Sequence, residues 1–227
     1  MNVIEAINLT KTYTETSVPV HALNAVDLQI KKGEFTAVVG PSGSGKTTLL
    51  NIIGGLDNPT SGTVIINGTD ISTYSDSQMV NFRLNNIGFV FQSYNLIPVL
   101  TAKENVEFIM LLQKEEKMKM ENRTFQLLER VGLHDQVNKR PNQLSGGQQQ
   151  RVAVARALAS RPSFILADEP TANLDTASTE NLLDLMAEMN SEEEATFIFA
   201  THDQRVINKA RRVITLEDGK IVSDRAQ

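Results

Sequence analysis

Gly40-Pro41-Ser42-Gly43-Ser44-Gly45-Lys46-Thr47 fits the pattern G-x-x-x-x-G-K-[ST], and the rest of the chain is read outward from it. The apolar run Phe35-Thr36-Ala37-Val38-Val39 precedes it, and the helix-like stretch Thr47-Thr48-Leu49-Leu50-Asn51-Ile52-Ile53 follows. Strand, glycine-rich loop and helix in that order separate a phosphate loop from a chance match. Without Cβ atoms at 40, 43 and 45, successive backbone N–H groups can converge on phosphate oxygens. A helix beginning near Lys46 adds the positive end of its dipole. Lys46 can reach the β- and γ-phosphates, and the Thr47 hydroxyl can ligate Mg²⁺. The stretch predicts a nucleotide site.

Around it, segments alternate. Residues 3–10 and 22–30 read as strands joined by a polar connection from Thr14 to Pro19. Asn24 to Ile30 alternates polar and apolar, as an antiparallel strand with one wet face does. Asp57-Asn58-Pro59-Thr60-Ser61-Gly62 breaks the chain after the loop helix, and strands follow at 63–68 and 87–91. Between about 95 and 160 the pattern becomes helical, with helices at 104–113, 115–131 and 148–159 and a charged, solvated connection at 114–119. Strands return at 163–167 and 195–200, separated by a helix at 178–189. A hairpin of 213–216 and 220–222 turns at Asp218-Gly219. This alternation predicts a largely parallel sheet with its site at the carboxyl ends of the strands.

Bulk composition narrows the function classes. The 227 residues suffice for one sizeable core, or a core with an inserted subdomain. A formal net charge of −5 argues against a nucleic-acid partner. With no cysteine, disulfides and thiolate metal sites are excluded, which fits a reducing compartment. Neither a signal peptide nor an apolar run of membrane-spanning length is visible, so a membrane role is expected to come through a partner.

Two further constellations carry chemistry. Phe164-Ile165-Leu166-Ala167-Asp168-Glu169 is an apolar strand ending in two acids. Beside a phosphate loop, the first acid suits Mg²⁺ and the second suits an attacking water. Leu144-Ser145-Gly146-Gly147-Gln148, followed by Gln149-Gln150-Arg151, places Ser and two glycines before a helix, a second anion-binding helix start. Lying between the loop and the acids, this stretch resembles the signature of the ATP-binding-cassette (ABC) family. Gln92 after a strand, Asn173-Leu174-Asp175 after the acids and His202 after a strand complete the family's ordered marks.

The resemblance covers essentially the whole chain and implies a fold: an α/β P-loop NTPase cassette. Its RecA-like parallel-sheet core and N-terminal antiparallel β subdomain would occupy 1–92 and 161–227, with an inserted α-helical subdomain at 93–160. It also implies roles. Tyr13 matches the aromatic that stacks on adenine, and Gly40 through Thr48 match the cradle for the ATP phosphates. Thr47, Gln92 and Asp168 match the metal-supporting groups. Glu169 matches the catalytic base, His202 the γ-phosphate contact, and Gln92 and Lys46 complete the catalytic set. Ser145, Gly146, Gly147 and Gln148 would bind ATP held on a second cassette, and Asp175 would communicate across that interface.

Finer stretches, among them Asn51-Ile52-Ile53-Gly54-Gly55-Leu56-Asp57 and Asn95-Leu96-Ile97-Pro98-Val99-Leu100-Thr101-Ala102, resemble the MacB/LolD-type branch. That branch implies an ATP-driven cassette homodimer on the cytoplasmic face of the inner membrane. Its permease would be of MacB/FtsX/LolC-like type, with a periplasmic adaptor where the branch uses one, in mechanotransmission, export or lipoprotein release. Residues 93–113 would receive the permease's coupling helix, with Leu96, Ile97, Val99 and Leu100 as its apolar patch. The loop at Asp175 reads Asn-Leu-Asp where the family often has Ala-Leu-Asp. A DNA-repair or translation-associated cassette is the alternative. The first usually splits these motifs with a coiled coil or zinc module, and the second usually carries two cassettes and basic surfaces. Neither feature is present in the sequence.

Overall fold

The computed structural model describes residues 1–14 and 18–227; residues 15–17 of the expected polar connection lie outside the described residues. Strand β1 (Asn2–Tyr13) pairs antiparallel with β2 (Val20–Lys31) and with β4 (Ser61–Ile66), which turns into the two-residue β5 (Thr69–Asp70). The alternation expected of β2 is met: Val26, Leu28 and Ile30 are buried while Asp27 and Gln29 face solvent.

A six-stranded sheet forms the second layer, in the order β10 (Lys220–Ala226), β9 (Arg212–Glu217), β3 (Phe35–Val39), β8 (Phe197–Ala200), β7 (Phe164–Asp168) and β6 (Ile87–Phe91). From β9 to β6 every pairing is parallel, and only the terminal hairpin β9–β10 is antiparallel. Alternate residues of the central strands β7 and β8 divide between two apolar clusters. Phe164 and Leu166 join the antiparallel sheet and helix α1 (Lys46–Ile53) on one face. Ile165 and Ala167 join α3 (Ala102–Leu112), α4 (Lys117–Arg130), α5 (Gly146–Ala159) and α6 (Thr176–Glu193) on the other. The strands of a parallel sheet, covered on both faces, read as continuous apolar runs for this reason.

Two helices and the two-residue β5 were not expected from the sequence. Helix α2 (Asp76–Asn86) buries only Met79, so it carries no apolar stripe; its start is written instead in the reciprocal capping box of Ser75 and Gln78. Helix α7 (Gln204–Lys209) is a six-residue turn capped by Asp203. The strand expected at 63–68 starts two residues earlier and ends at Ile66, because Asn67 and Gly68 both take positive φ to make the turn. The expected helix at 178–189 extends over Thr176–Glu193, and that at 115–131 shortens to Lys117–Arg130.

Candidate active site

Strand β3 delivers the phosphate loop to the carboxyl edge of the parallel sheet, and α1 leaves it at Lys46. Two of its glycines are required by close approach. A Cβ on Gly45, at φ +103°, would meet the Ala22 carbonyl oxygen at 2.2 Å. One on Gly40 would meet the Leu216 carbonyl oxygen at 2.0 Å. The loop is therefore clamped between β2 and the terminal hairpin. The hairpin turn adds a Gly219 N–H to the Ser44 carbonyl (3.1 Å), and its own carbonyl accepts from the Asn24 N–H (2.8 Å). Within the loop, Lys46 Nζ donates to the Gly40 and Pro41 carbonyls at 2.8 and 3.0 Å.

The loop opens onto a cleft of about 700 Å³. Its lining brings together Tyr13, loop residues Gly40 to Gly43, Gly45 to Thr48, and, from three other strand ends, Gln92, Glu169 and His202. Ser44 is the one loop residue turned inward, buried beneath the others. Elements far apart in sequence thus converge where the alternating pattern predicted, because parallel strands put all their carboxyl ends on one edge.

At the end of β7, Asp168 Oδ1 accepts from the Thr47 hydroxyl at 3.2 Å. Burial pushes the Asp168 carboxyl up; the Glu169 charge pushes the same way, while Thr47 and Lys46 pull against it. Glu169 follows in left-handed backbone, φ 47°, its N–H bound to the Ala200 carbonyl of β8 at 2.9 Å. Both carboxylate oxygens are engaged. Oε1 lies 2.7 Å from His202 Nδ1, and Oε2 accepts from the buried Thr201 hydroxyl at 3.2 Å. An ionised carboxylate only accepts, so His202 donates from Nδ1 and its ring is 77% exposed to the cleft side.

Oxygen donors of this kind suit Mg²⁺, which is held by one or two protein oxygens together with phosphate oxygens rather than by a protein cage. Thr47 Oγ1 and Asp168 Oδ1 supply that minimal set; Thr47 and Gln92 line the cleft, whereas Asp168 reaches it through Thr47 and is not among its lining residues. Among the described residues no group of three or more His, Cys, Asp or Glu side chains stands ready to hold a metal alone.

Ser145, Gly146, Gly147 and Gln148 do not line the cleft. Ser145 caps α5, its Oγ accepting from the Gln148 N–H while Gln148 Oε1 accepts from the Ser145 N–H. Asp175 caps α6, accepting from the N–H and hydroxyl of Ser178, both at 2.8 Å; those bonds hold its carboxyl below the usual range. Asn173, where the family often has Ala, uses its amide to reach the Gln92 carbonyl at 3.0 Å.

Several supporting residues escaped the sequence reading. Thr171 Oγ1 donates to Asp203 Oδ2 at 2.8 Å, tying the loop after Glu169 to the one after His202. Buried Gln150 donates to the carbonyls of Pro170 (2.7 Å) and Phe91 (3.3 Å), holding two strand ends level. Lys11 and Asp57 flank Tyr13: Asp57 Oδ1 takes Lys11 Nζ at 2.6 Å and Oδ2 takes the Tyr13 hydroxyl at 2.9 Å. None of these left a local signal: Gln150 lies in the polar run Gln148-Gln149-Gln150-Arg151, and every pair joins residues 20 or more positions apart.

Comparison with known proteins agrees with this architecture. The family model described as "ABC transporter" matches residues 23–172. The chain is 48% identical over 217 residues to the ABC transporter ATP-binding protein YvrO of Bacillus subtilis, covering 96% of this chain and 94% of that protein. It is 46% identical to the lipoprotein-releasing system ATP-binding protein LolD 1 of Rhodopseudomonas palustris, covering 97% and 98%. Its backbone superposes with a TM-score of 0.90, at 43% identity and 98% coverage of both chains, on the ATP-binding cassette MJ0796. That structure, of a Methanocaldococcus jannaschii protein, is described as a dimeric post-hydrolysis state bound to ADP and Pi. On a family match spanning most of the chain and near-full-length relatives at this identity, the chain belongs to the ABC transporter family.

Proposed function

We propose that this cassette hydrolyses ATP in the cleft above the phosphate loop, as the ATP-driven subunit of a membrane transporter. The carrying observation is that Glu169, fixed by His202 and Thr201, opens onto the same cleft as Lys46 and Thr47. In this reading the loop N–H groups and Lys46 hold the triphosphate, Lys46 Nζ exchanging the Gly40 and Pro41 carbonyls for phosphate oxygens. Tyr13 stacks on the adenine. Thr47, Asp168 and Gln92 would hold Mg²⁺, which would supply charge neutralisation of the triphosphate. Glu169 accepts a proton from water as the water oxygen bonds to the γ-phosphorus. The bond from that phosphorus to the bridging oxygen breaks, and its electron pair leaves with ADP. His202 keeps the carboxylate aimed and presents its ring to the γ-phosphate.

The signature residues Ser145 to Gln148 lie off this cleft, which supports a composite site completed by a second copy. The dimer described for MJ0796 supports the same arrangement. ATP then joins two cassettes, with the Asp175 loops between them, and hydrolysis releases the contact. We read 93–160 as a helical subdomain that passes this motion on, although the second half of α5 shares its core with the parallel sheet.

No helix among the described residues is long and apolar enough to cross a membrane. As the ATP-driven subunit of such a transporter, the cassette is read as docked on the cytoplasmic face of the inner membrane, on a permease of MacB/FtsX/LolC-like type, with a periplasmic adaptor where one is used. LolD 1 favours lipoprotein release as the work done; export is the alternative within the branch. Residues 93–113 are suited to docking. Buried Asn105 pins the segment through Ile97, Leu100 and Thr101, Val99 projects 69% exposed before α3, and Leu111 and Leu112 are exposed at the other end of that helix. Leu96, Ile97 and Leu100 are half-buried, so the exposed patch is smaller than the sequence suggested. A repair or translation role is not favoured, since the matched family and the named relatives are transporter components.

Glu169→Gln tests the reading. It should bind ATP, stall hydrolysis and give a long-lived dimer by light scattering. A Glu169→Gln protein that stays monomeric with Mg-ATP, or that still turns over ATP, refutes it.

A further inference from the structure

Tyr13 is held by more contacts than a stacking ring needs. Lys11 and Tyr13 sit two apart on β1 and so share one face of the strand. Asp57, just past the turn that ends α1, faces both. Its Oδ1 accepts from Lys11 Nζ at 2.6 Å and its Oδ2 from the Tyr13 hydroxyl at 2.9 Å. Lys11 Nζ donates also to the Asn58 carbonyl at 2.7 Å and lies over the Tyr13 ring, 4.8 Å from its centroid. Lysine, carboxylate and phenol therefore close a three-cornered contact in which each fixes the other two.

The pair is sheltered. The Lys11 side chain is 13% exposed and that of Asp57 28%. Burial alone would raise the Asp57 carboxyl, but the hydrogen bonds from Lys11 and Tyr13 outweigh it and hold it low. The carboxylate thus stays charged and accepting, with both oxygens committed. An otherwise free tyrosine would lose rotamer entropy on stacking; here that loss has already been met in folding. The lysine also covers one face of the ring by a cation–π contact, so a base has only the other face to use.

We propose that Asp57 and Lys11 are positioning residues for the base end of the nucleotide. They lock Tyr13 so that a single ring face is presented to the cleft, and binding then depends on the base as well as on the triphosphate. The inference rests on the reading that Tyr13 stacks the base. Because α1 begins in the phosphate loop and the turn after it carries Asp57, one helix fixes both ends of the ligand's site.

The test compares equilibrium binding of Mg-ATP and of Mg-tripolyphosphate, which has no base, to the full chain and to Asp57→Asn, Tyr13→Phe and Tyr13→Ala. Asp57→Asn removes the charge that holds Lys11, and Tyr13→Phe keeps the ring but removes its anchor. Each should weaken ATP binding by about threefold to tenfold, the span of a stacked aromatic contact, and leave tripolyphosphate binding unchanged. Equal loss for both ligands, the mark of a merely structural role, overturns the proposal, as does no loss for either. If Tyr13→Ala binds ATP like the parent, the stacking reading itself fails and takes the proposal with it. If Tyr13→Ala weakens ATP while Asp57→Asn and Tyr13→Phe do not, only the positioning role falls. Should Asp57→Asn fail to fold, Tyr13→Phe decides alone.

Discussion

Gly45→Ala should destabilise the fold more than Gly43→Ala, although both glycines lie in the same loop with positive φ. Gly43 sits at φ +79° with nothing within 4 Å of where a Cβ would project. Its alanine therefore bears only the left-handed backbone penalty, about 1–2 kcal/mol. Gly45 sits at φ +103° and bears comparable strain, but its Cβ would stand 2.2 Å from the Ala22 carbonyl oxygen and 3.1 Å from Leu23 Cδ2. A carbon approaches an oxygen no closer than about 3.3 Å in ordinary contacts, so loop and strand must part by about 1 Å. Ala22 lies on β2, which β1 holds by an extended antiparallel register. That strand resists, and overpacking adds about 1–3 kcal/mol more. The same displacement moves the N–H groups meant for phosphate, so ATP affinity should fall by about tenfold or more. Urea unfolding with an unchanged slope gives the stability difference, and calorimetric titration gives the affinity. Equal destabilisation by the two alanines, or parent-like ATP affinity in Gly45→Ala, would show that the clamp from Ala22 does not shape the loop.

Two further outcomes follow from the groups behind Glu169. Thr201→Val removes the hydroxyl that donates to Glu169 Oε2 and accepts from the Asp203 N–H. Steady-state kinetics should show kcat reduced about tenfold with KM little changed, at a stability cost of about 1–3 kcal/mol; an unchanged kcat would mean that His202 alone aims the carboxylate. Asp203 is held down to about 2 from 3.8, chiefly by its hydrogen bonds with Arg205. Because its folded value is depressed, the stabilisation is present above about pH 4 and is lost as pH falls towards 2, on the order of 1–2 kcal/mol in all. Asp203→Asn should flatten the acid limb of a stability-against-pH curve; a limb as steep as the parent's would refute the assignment.

What was legible in the sequence was local in nature. The phosphate loop, the acidic strand end and the capped start of α5 are each written in consecutive residues, and alternation of segments was enough to place the first two on one sheet edge. Helix α2 was illegible by periodicity because it rides on a single buried side chain, Met79; its capping box was there to be found. The struts of the site were hidden for another reason. Lys11 with Asp57, Thr171 with Asp203, and Gln150 with Pro170 pair residues 46, 32 and 20 positions apart, and no window along the chain contains the reason for their chemistry. Asn173 shows the same point in miniature: as a departure from Ala it removes no needed group, yet in space it reaches the Gln92 carbonyl.

The clamp on the phosphate loop also has a temporal side. Residues 40–45 are seated against Leu216 and Gly219, which belong to the chain's last hairpin. During synthesis the loop emerges early, while the strand and turn that complete its seat emerge only after β8 and α7. A growing chain therefore presents the motif before its cradle, and the loop gains its full seat only once β9 and the turn after it have been made.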